Sequence, residues 1–214
     1  MQRGLRCQQL RFRHYKGWLS EGGIRSPLVV SGAGVGQPAG SINHGLMHVM
    51  DIVPTLLDIA GIVHPSGHEG WDVAPLQGKS WKPMLAGEAE SPRGPKDWLG
   101  WELWGNRAIR QGDWKIVWLH KPLGTADWEL FNLRTDPGET QELSAKHPEK
   151  KKELLALWGE YVKTNNVIMP DRHIFETLED VMPIRVPVDE GWPPLNFKKP
   201  FVPPRELTIE GRDK

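Results

Sequence analysis

Eight of the chain's 19 prolines fall between Pro170 and Pro204, and that density decides where a core can be built. Proline gives no N–H to a helix or to a sheet ladder, so a stretch rich in it runs extended, with its backbone solvated. Residues 168–214 therefore read as an extended tail, and the packed part of the 214-residue chain must come from what precedes them. That part is long enough to bury a sizeable core. The lone cysteine, Cys7, excludes an internal disulfide framework and a Cys-based zinc cluster, so packing must carry the fold. Much of the packing mass is indole, with 11 tryptophans against 2 tyrosines and 5 phenylalanines.

Charge narrows the roles further. With 27 basic and 27 acidic residues, nothing in the charge balance suggests a general binder of nucleic acids or of acidic membranes. Apolar runs such as Ile52-Val53-Pro54-Thr55-Leu56-Leu57 are far shorter than a transmembrane segment needs. Residues 1–13 form an atypical basic leader, with Arg3, Arg6, Arg11 and Arg13 all preceding the first acid, Glu21. No apolar run of secretory type follows, and Gly4 would interrupt a targeting helix, so the leader reads as a segment parted from its upstream neighbour. It fixes no compartment.

The run Tyr15-Lys16-Gly17-Trp18-Leu19-Ser20-Glu21-Gly22-Gly23-Ile24-Arg25-Ser26-Pro27 carries the chemistry. Adjacent glycines permit positive φ and close backbone approach. Pro27 favours an extended residue before it, leading into Leu28-Val29-Val30, which reads as a short buried strand. Lys16 is then expected at a sheet edge, where a flexible ammonium can serve as a point charge for a sulfate or phosphate ester. By spacing alone, a solvated surface lysine fits the same pattern.

Beyond this run, Ser31-Gly32-Ala33-Gly34-Val35-Gly36 lacks the helix that a dinucleotide loop requires after it, since Pro38 and Gly40 prolong the loop. Residues 45–50 offer a second extended run. Asp51 is placed to cap a helix over 52–60, with Pro54 in its first turn and Gly61 at its end. Leu56, Leu57 and Ile59 are expected to cover a sheet. Residues 64–94 read as loop, with an anchored piece around Trp81 and Leu85. A hairpin is expected from 106–110 and 114–119 about the turn Gln111-Gly112-Asp113-Trp114, with another strand over 128–133. Asp136-Pro137-Gly138-Glu139 reads as a turn. A helix over 148–165 opens on Pro148 and sets Leu154, Leu157, Trp158, Tyr161 and Val162 on one face.

Of the eight histidines, none joins carboxylates in a metal-ligand pattern. His44 and His48 lack a third ligand, and the loop His64-Pro65-Ser66-Gly67-His68-Glu69 would hold an ion only loosely. No metal ligand is assigned. There is no Gly-x-Ser-x-Gly elbow.

Taken together, these stretches resemble the C-terminal part of a sulfatase of the bacterial arylsulfatase kind. Lys16-Gly17-Trp18 through Pro27 is similar to the family's Lys…Glu-Gly-Gly-x-Arg-x-Pro segment. Residues 50–61 resemble the helix after its penultimate core strand. Gly105 to Lys115, Trp128-Glu129-Leu130-Phe131 and Asp136-Pro137-Gly138-Glu139 resemble its C-terminal subdomain. The resemblance implies an α/β fold class: residues 14–95 as the C-terminal remnant of an alkaline-phosphatase-like sulfatase sheet, and residues 96–167 as a small α+β subdomain, an antiparallel sheet packed by one helix. The implied activity is hydrolysis of sulfate esters to alcohol or phenol and sulfate, on a small-molecule sulfate ester.

Carried over by position, the resemblance implies that Lys16 contacts the substrate sulfate. It also implies a formylglycine made from cysteine in Cys-x-Pro-x-Arg, and Ca²⁺ held by Asp and Asn. Cys7 is followed by Gln8-Gln9-Leu10 and fails that motif. The nucleophile and the metal ligands are therefore expected on an N-terminal sulfatase half, a possible partner, and this chain alone is expected to be inactive. Two rivals stand beside this reading. One is a non-catalytic module with Trp98, Trp101, Trp104, Trp114 and Trp118 as a platform for sugars or aromatics. The other is a phosphate- or phosphonate-ester hydrolase of the same superfamily.

Overall fold

A computed structural model describes residues 12–32, 35–121 and 124–170. The basic leader up to residue 11 and the proline-rich tail beyond residue 170 lie outside the described residues. In chain order the elements are α1 (Glu21–Ile24), a 3-10 turn (Val49–Asp51), α2 (Ile52–Ala60), β1 (Gly67–His68), β2 (Trp71–Asp72), α3 (Lys82–Ala86), β3 (Trp98–Leu103), β4 (Asn106–Gln111), β5 (Trp114–Trp118), β6 (Trp128–Asn132) and α4 (Pro148–Thr164). Helices mixed with antiparallel sheet bear out the mixed α/β class.

Strands β3 to β6 form an antiparallel meander in sequence order. Its register aligns Ile109 with Ile116 and Ile116 with Leu130. Alternate residues of a strand face opposite ways, so these three pack with Leu154 of α4 on one face. Ala108, Val117 and Phe131 meet Trp18 and Leu19 on the other. The sheet is thus a middle layer, and segment 12–25, far upstream in sequence, supplies its second cover. Along α4, Leu157, Trp158 and Tyr161 complete the helix side as the helical spacing predicts. Gly100 of β3 is small by necessity, because a Cβ there would lie 2.5 Å from the Tyr161 ring.

This layering separates the five tryptophans of the platform reading. Trp98 and Trp114 pack against the helix-side cluster, whereas Trp101 packs on the opposite face. Trp104 sits at positive φ in the β3–β4 turn. Trp98 and Trp114 thus lie on the face opposite Trp101, so the five indoles do not share one face.

A second cluster surrounds α2 and α3. Thr55 is buried, donating to the Asp51 carbonyl (2.6 Å) and accepting from the Trp81 N–H (2.9 Å), while Trp81, Met84 and Leu85 form a small core. Gly61 ends α2 in the left-handed region, as expected. The β1–β2 hairpin was not legible as strands. Its turn places Glu69 and Gly70 at positive φ, the geometry of a tight two-residue hairpin loop.

Three expectations are corrected. Leu28, Val29 and Val30 are extended but form no strand, and Val29 is 91% exposed. A strand needs a neighbour, and no described segment pairs with them. Residues 45–48 likewise run without a partner into the 3-10 turn. Leu56 and Ile59 do not cover a sheet; both are exposed. Among the described residues, no helix is long and apolar enough to cross a membrane.

Candidate functional site

Lys16 lies on a tight turn in which the Trp18 N–H donates to the Tyr15 carbonyl (3.2 Å) and Gly17 takes φ 92. It is exposed and makes no hydrogen bond or ion pair with a described residue. The turn abuts the β3–β4 end of the sheet, where a Cβ on Gly17 would sit 3.5 Å from the Trp104 ring. The Lys16 turn therefore lies against the β3–β4 turn of the antiparallel sheet, and not beside a strand at 28–30.

The rest of the segment is knotted onto itself. Gly22 N–H donates to the Arg13 carbonyl (2.9 Å) and Gly23 N–H to the Ser20 carbonyl (2.8 Å). The His14 ring nitrogen Nδ1 and the buried Ser20 hydroxyl are 3.0 Å apart. The paired glycines prove necessary for close approach and not for positive φ, since both lie in α1. A Cβ on Gly22 would fall 2.2 Å from the His14 oxygen, and one on Gly23 would fall 2.0 Å from the Trp18 oxygen.

Beneath α1 lies a buried charge cluster. Lys115 Nζ, fully buried, donates to Glu21 Oε1 (2.9 Å) and pairs with Glu139 Oε1 (2.8 Å). The other Glu139 oxygen accepts from the Glu21 backbone N–H (3.0 Å). Arg25 and Arg110 approach Glu21 Oε2 at 3.8 and 3.9 Å, adding positive charge. Desolvation lowers the Arg110 pKa, and Glu21 is the main opposing influence. Sequence reasoning missed this cluster. A signal was present, because alternation in β5 puts Lys115 on the inward face with Val117, where an unpaired lysine does not survive.

On the sheet itself, Arg107 stacks over the Trp118 ring (4.3 Å) and His120 meets that ring edge-on (4.6 Å). On the α2 side, burial lowers the His48 pKa more than Asp51 raises it, with Arg93 lowering it further. Its Nδ1 accepts from the Met50 N–H (3.3 Å), so it serves as a cap within the fold. Among the described residues, no group of three His, Cys, Asp or Glu side chains could hold a metal ion. The arrangement offers an exposed ammonium on a turn tied to the sheet, able to place positive charge against an anion.

Comparison with known proteins gives this geometry a family. A family model described as N-sulphoglucosamine sulphohydrolase, C-terminal, matches residues 12–164. The chain is 36% identical over 166 residues to an uncharacterized sulfatase of Schizosaccharomyces pombe, covering 76% of this chain and 29% of that one. It is 28% identical over 147 residues to an N-acetylglucosamine-6-O-sulfatase of Bacteroides thetaiotaomicron, covering 62% and 24%. With human arylsulfatase K it shares 28% identity over 141 residues, covering 63% and 25%. The chain thus spans less than a third of the length of these relatives. From residue 12 through the end of α4 the matched stretch takes in the Lys16 turn, the buried cluster and the whole meander, and on that match the chain belongs to the sulfatases, a family of sulfuric ester hydrolases, of which it represents the C-terminal part.

Proposed function

We propose that the chain is the C-terminal portion of an arylsulfatase, a hydrolase of sulfate esters, in which Lys16 contacts the sulfate group. The single observation that supports this most is an exposed ammonium, unengaged by any described residue, on a turn next to the tied Glu21-Gly22-Gly23 segment. A lysine so placed supplies charge to a tetrahedral anion while keeping its hydration until the anion arrives. The Ca²⁺ of the family finds no ligand cluster among the described residues, and in the sequence Cys7 lacks the motif that formylglycine requires. Neither group is assigned to this chain's own residues, and residues 1–214 alone are proposed not to turn over sulfate esters.

An N-terminal sulfatase half is the partner proposed for the apolar surface left open. Leu28, Val29 and Val30, together with Val53, Leu56 and Ile59 of α2, are all exposed. An uncovered apolar area of this kind marks an interaction surface.

The test is an aryl sulfate assay on the chain by itself and with an upstream sulfatase domain supplied in cis. Turnover is expected only in the second case, and Lys16→Ala is expected to abolish it. Turnover by the chain alone, or turnover indifferent to Lys16→Ala, would overturn the proposal.

A further inference from the structure

Glu139 combines two features that are hard to hold together. Its backbone takes φ 55 in the turn that its N–H closes onto the Asp136 carbonyl, although Gly138, which could take that conformation freely, stands next to it. Its side chain is buried. A non-glycine residue persists in such a conformation only where its surroundings over-determine it. Here the surroundings are the Lys115 ammonium and the Glu21 backbone N–H.

Both partners lead to the same place. Trp18 and Leu19 press the segment onto the sheet, but apolar contact is non-directional and leaves the segment free to slide. Directional bonds fix its register: Glu139 to the Glu21 amide, Lys115 to the Glu21 carboxylate, and from there the bonds from Gly22 to Arg13 and from Trp18 to Tyr15. At the far end of this chain of bonds is the turn bearing Lys16, lodged against Trp104.

We infer that Glu139, acting with Lys115, is a positioning residue that latches the Glu21-Gly22-Gly23 turn to the sheet and thereby sets where Lys16 is held. The functional meaning of the latch rests on the reading of Lys16 as a sulfate contact, but the latch itself is tested without sulfate. It gives one acidic and one basic residue, each more than ninety positions downstream, a task in the placement of an upstream ammonium.

The experiment is amide hydrogen exchange by NMR on the 214-residue chain, together with the cross-relaxation between the Gly17 α-protons and the Trp104 ring. In Glu139→Gln, which preserves volume, the Gly22 and Gly23 amides should exchange at least tenfold faster and the Gly17–Trp104 signal should fall. The Ile116 and Leu154 amides should change less than twofold. Because a carboxamide oxygen can still accept from the Glu21 N–H, Lys115→Met is the second variant, and a response from either variant confined to residues 13–25 supports the latch. No response from either variant overturns it. So does faster exchange spread evenly over sheet, helix and segment, which is what a merely structural role produces. Lys16→Ala should leave all these readouts unchanged while abolishing the sulfatase activity tested above, so failure of the latch and failure of the Lys16 reading give different results.

Discussion

Arg93 reaches back 42 residues to grip Asp51 with both terminal guanidinium nitrogens, Nη2 lying 2.6 Å from Asp51 Oδ1. The same carboxylate accepts from the Lys79 N–H (2.9 Å) and the His48 N–H (2.8 Å). Asp51 stands at the head of α2 as its sequence position suggests, but its side chain caps none of that helix's amides. It ties α2 to the loop after α3.

Removing the cation should therefore cost far more than removing an exposed one. Arg93→Met leaves Asp51 buried without its ion pair, a change worth about 3–5 kcal/mol. Urea unfolding followed through the Thr55 and Trp81 amides should show it, and a loss under ~1 kcal/mol would mean the pair is not what joins these elements.

The same carboxylate sets an acid limit. Burial by itself raises the Asp51 pKa, but the Arg93 hydrogen bonds and the Lys79 and His48 N–H groups outweigh it and hold the pKa below the ordinary value. A depressed folded-state pKa adds stability that is complete above the unfolded value, about 3.9, and is lost as pH falls toward the folded one. Melting followed around α2 should fall below about pH 4, and Asp51→Asn should flatten that dependence.

Gly100 should not tolerate even a methyl group. Gly100→Ala drives a Cβ into the Tyr161 ring, and overpacking of this sort costs roughly 1–3 kcal/mol. Shortening the ring as well, in Gly100→Ala with Tyr161→Leu, should recover part of the loss in thermal unfolding. Equal losses in the single and double variants would refute the contact.

Lys16→Ala should leave folding alone. An exposed side chain that no described residue engages contributes within about 0.5 kcal/mol, so a substantial shift in the urea midpoint would point to a structural role for Lys16 in place of the proposed one.

The open face of α2 should make the chain self-associate. Leu56→Lys is expected to raise the monomer fraction in size-exclusion chromatography with little change in melting, because Leu56 is 61% exposed. A wild-type chain already monomeric at high concentration would count against an uncovered interaction surface.

Where sequence reading succeeded, the signal was local. The α4 helix follows from Pro148 and a helical stripe, and the β4–β5 hairpin from alternation around Gly112. Where it failed, the missing information was non-local. Leu28-Val29-Val30 is apolar enough for a buried strand, but apolarity does not say which chain supplies the cover. The glycine pair was legible as a turn, yet its purpose lies in carbonyls of residues 13–18. Lys16 stood out through its motif, while Lys115 and Glu139, which meet only in three dimensions, did not.

The pairing of Glu21 with residues 94 and 118 positions later also dictates an order of events. A ribosome emits residues 12–25 long before their platform exists, and closing so long a loop is entropically costly and slow. That stretch must stay unstructured, its tryptophan and isoleucine unshielded, until synthesis passes residue 139 and the meander closes. Its docking can come no earlier than the closing of the meander, and the interval before it is when chaperones have most to protect.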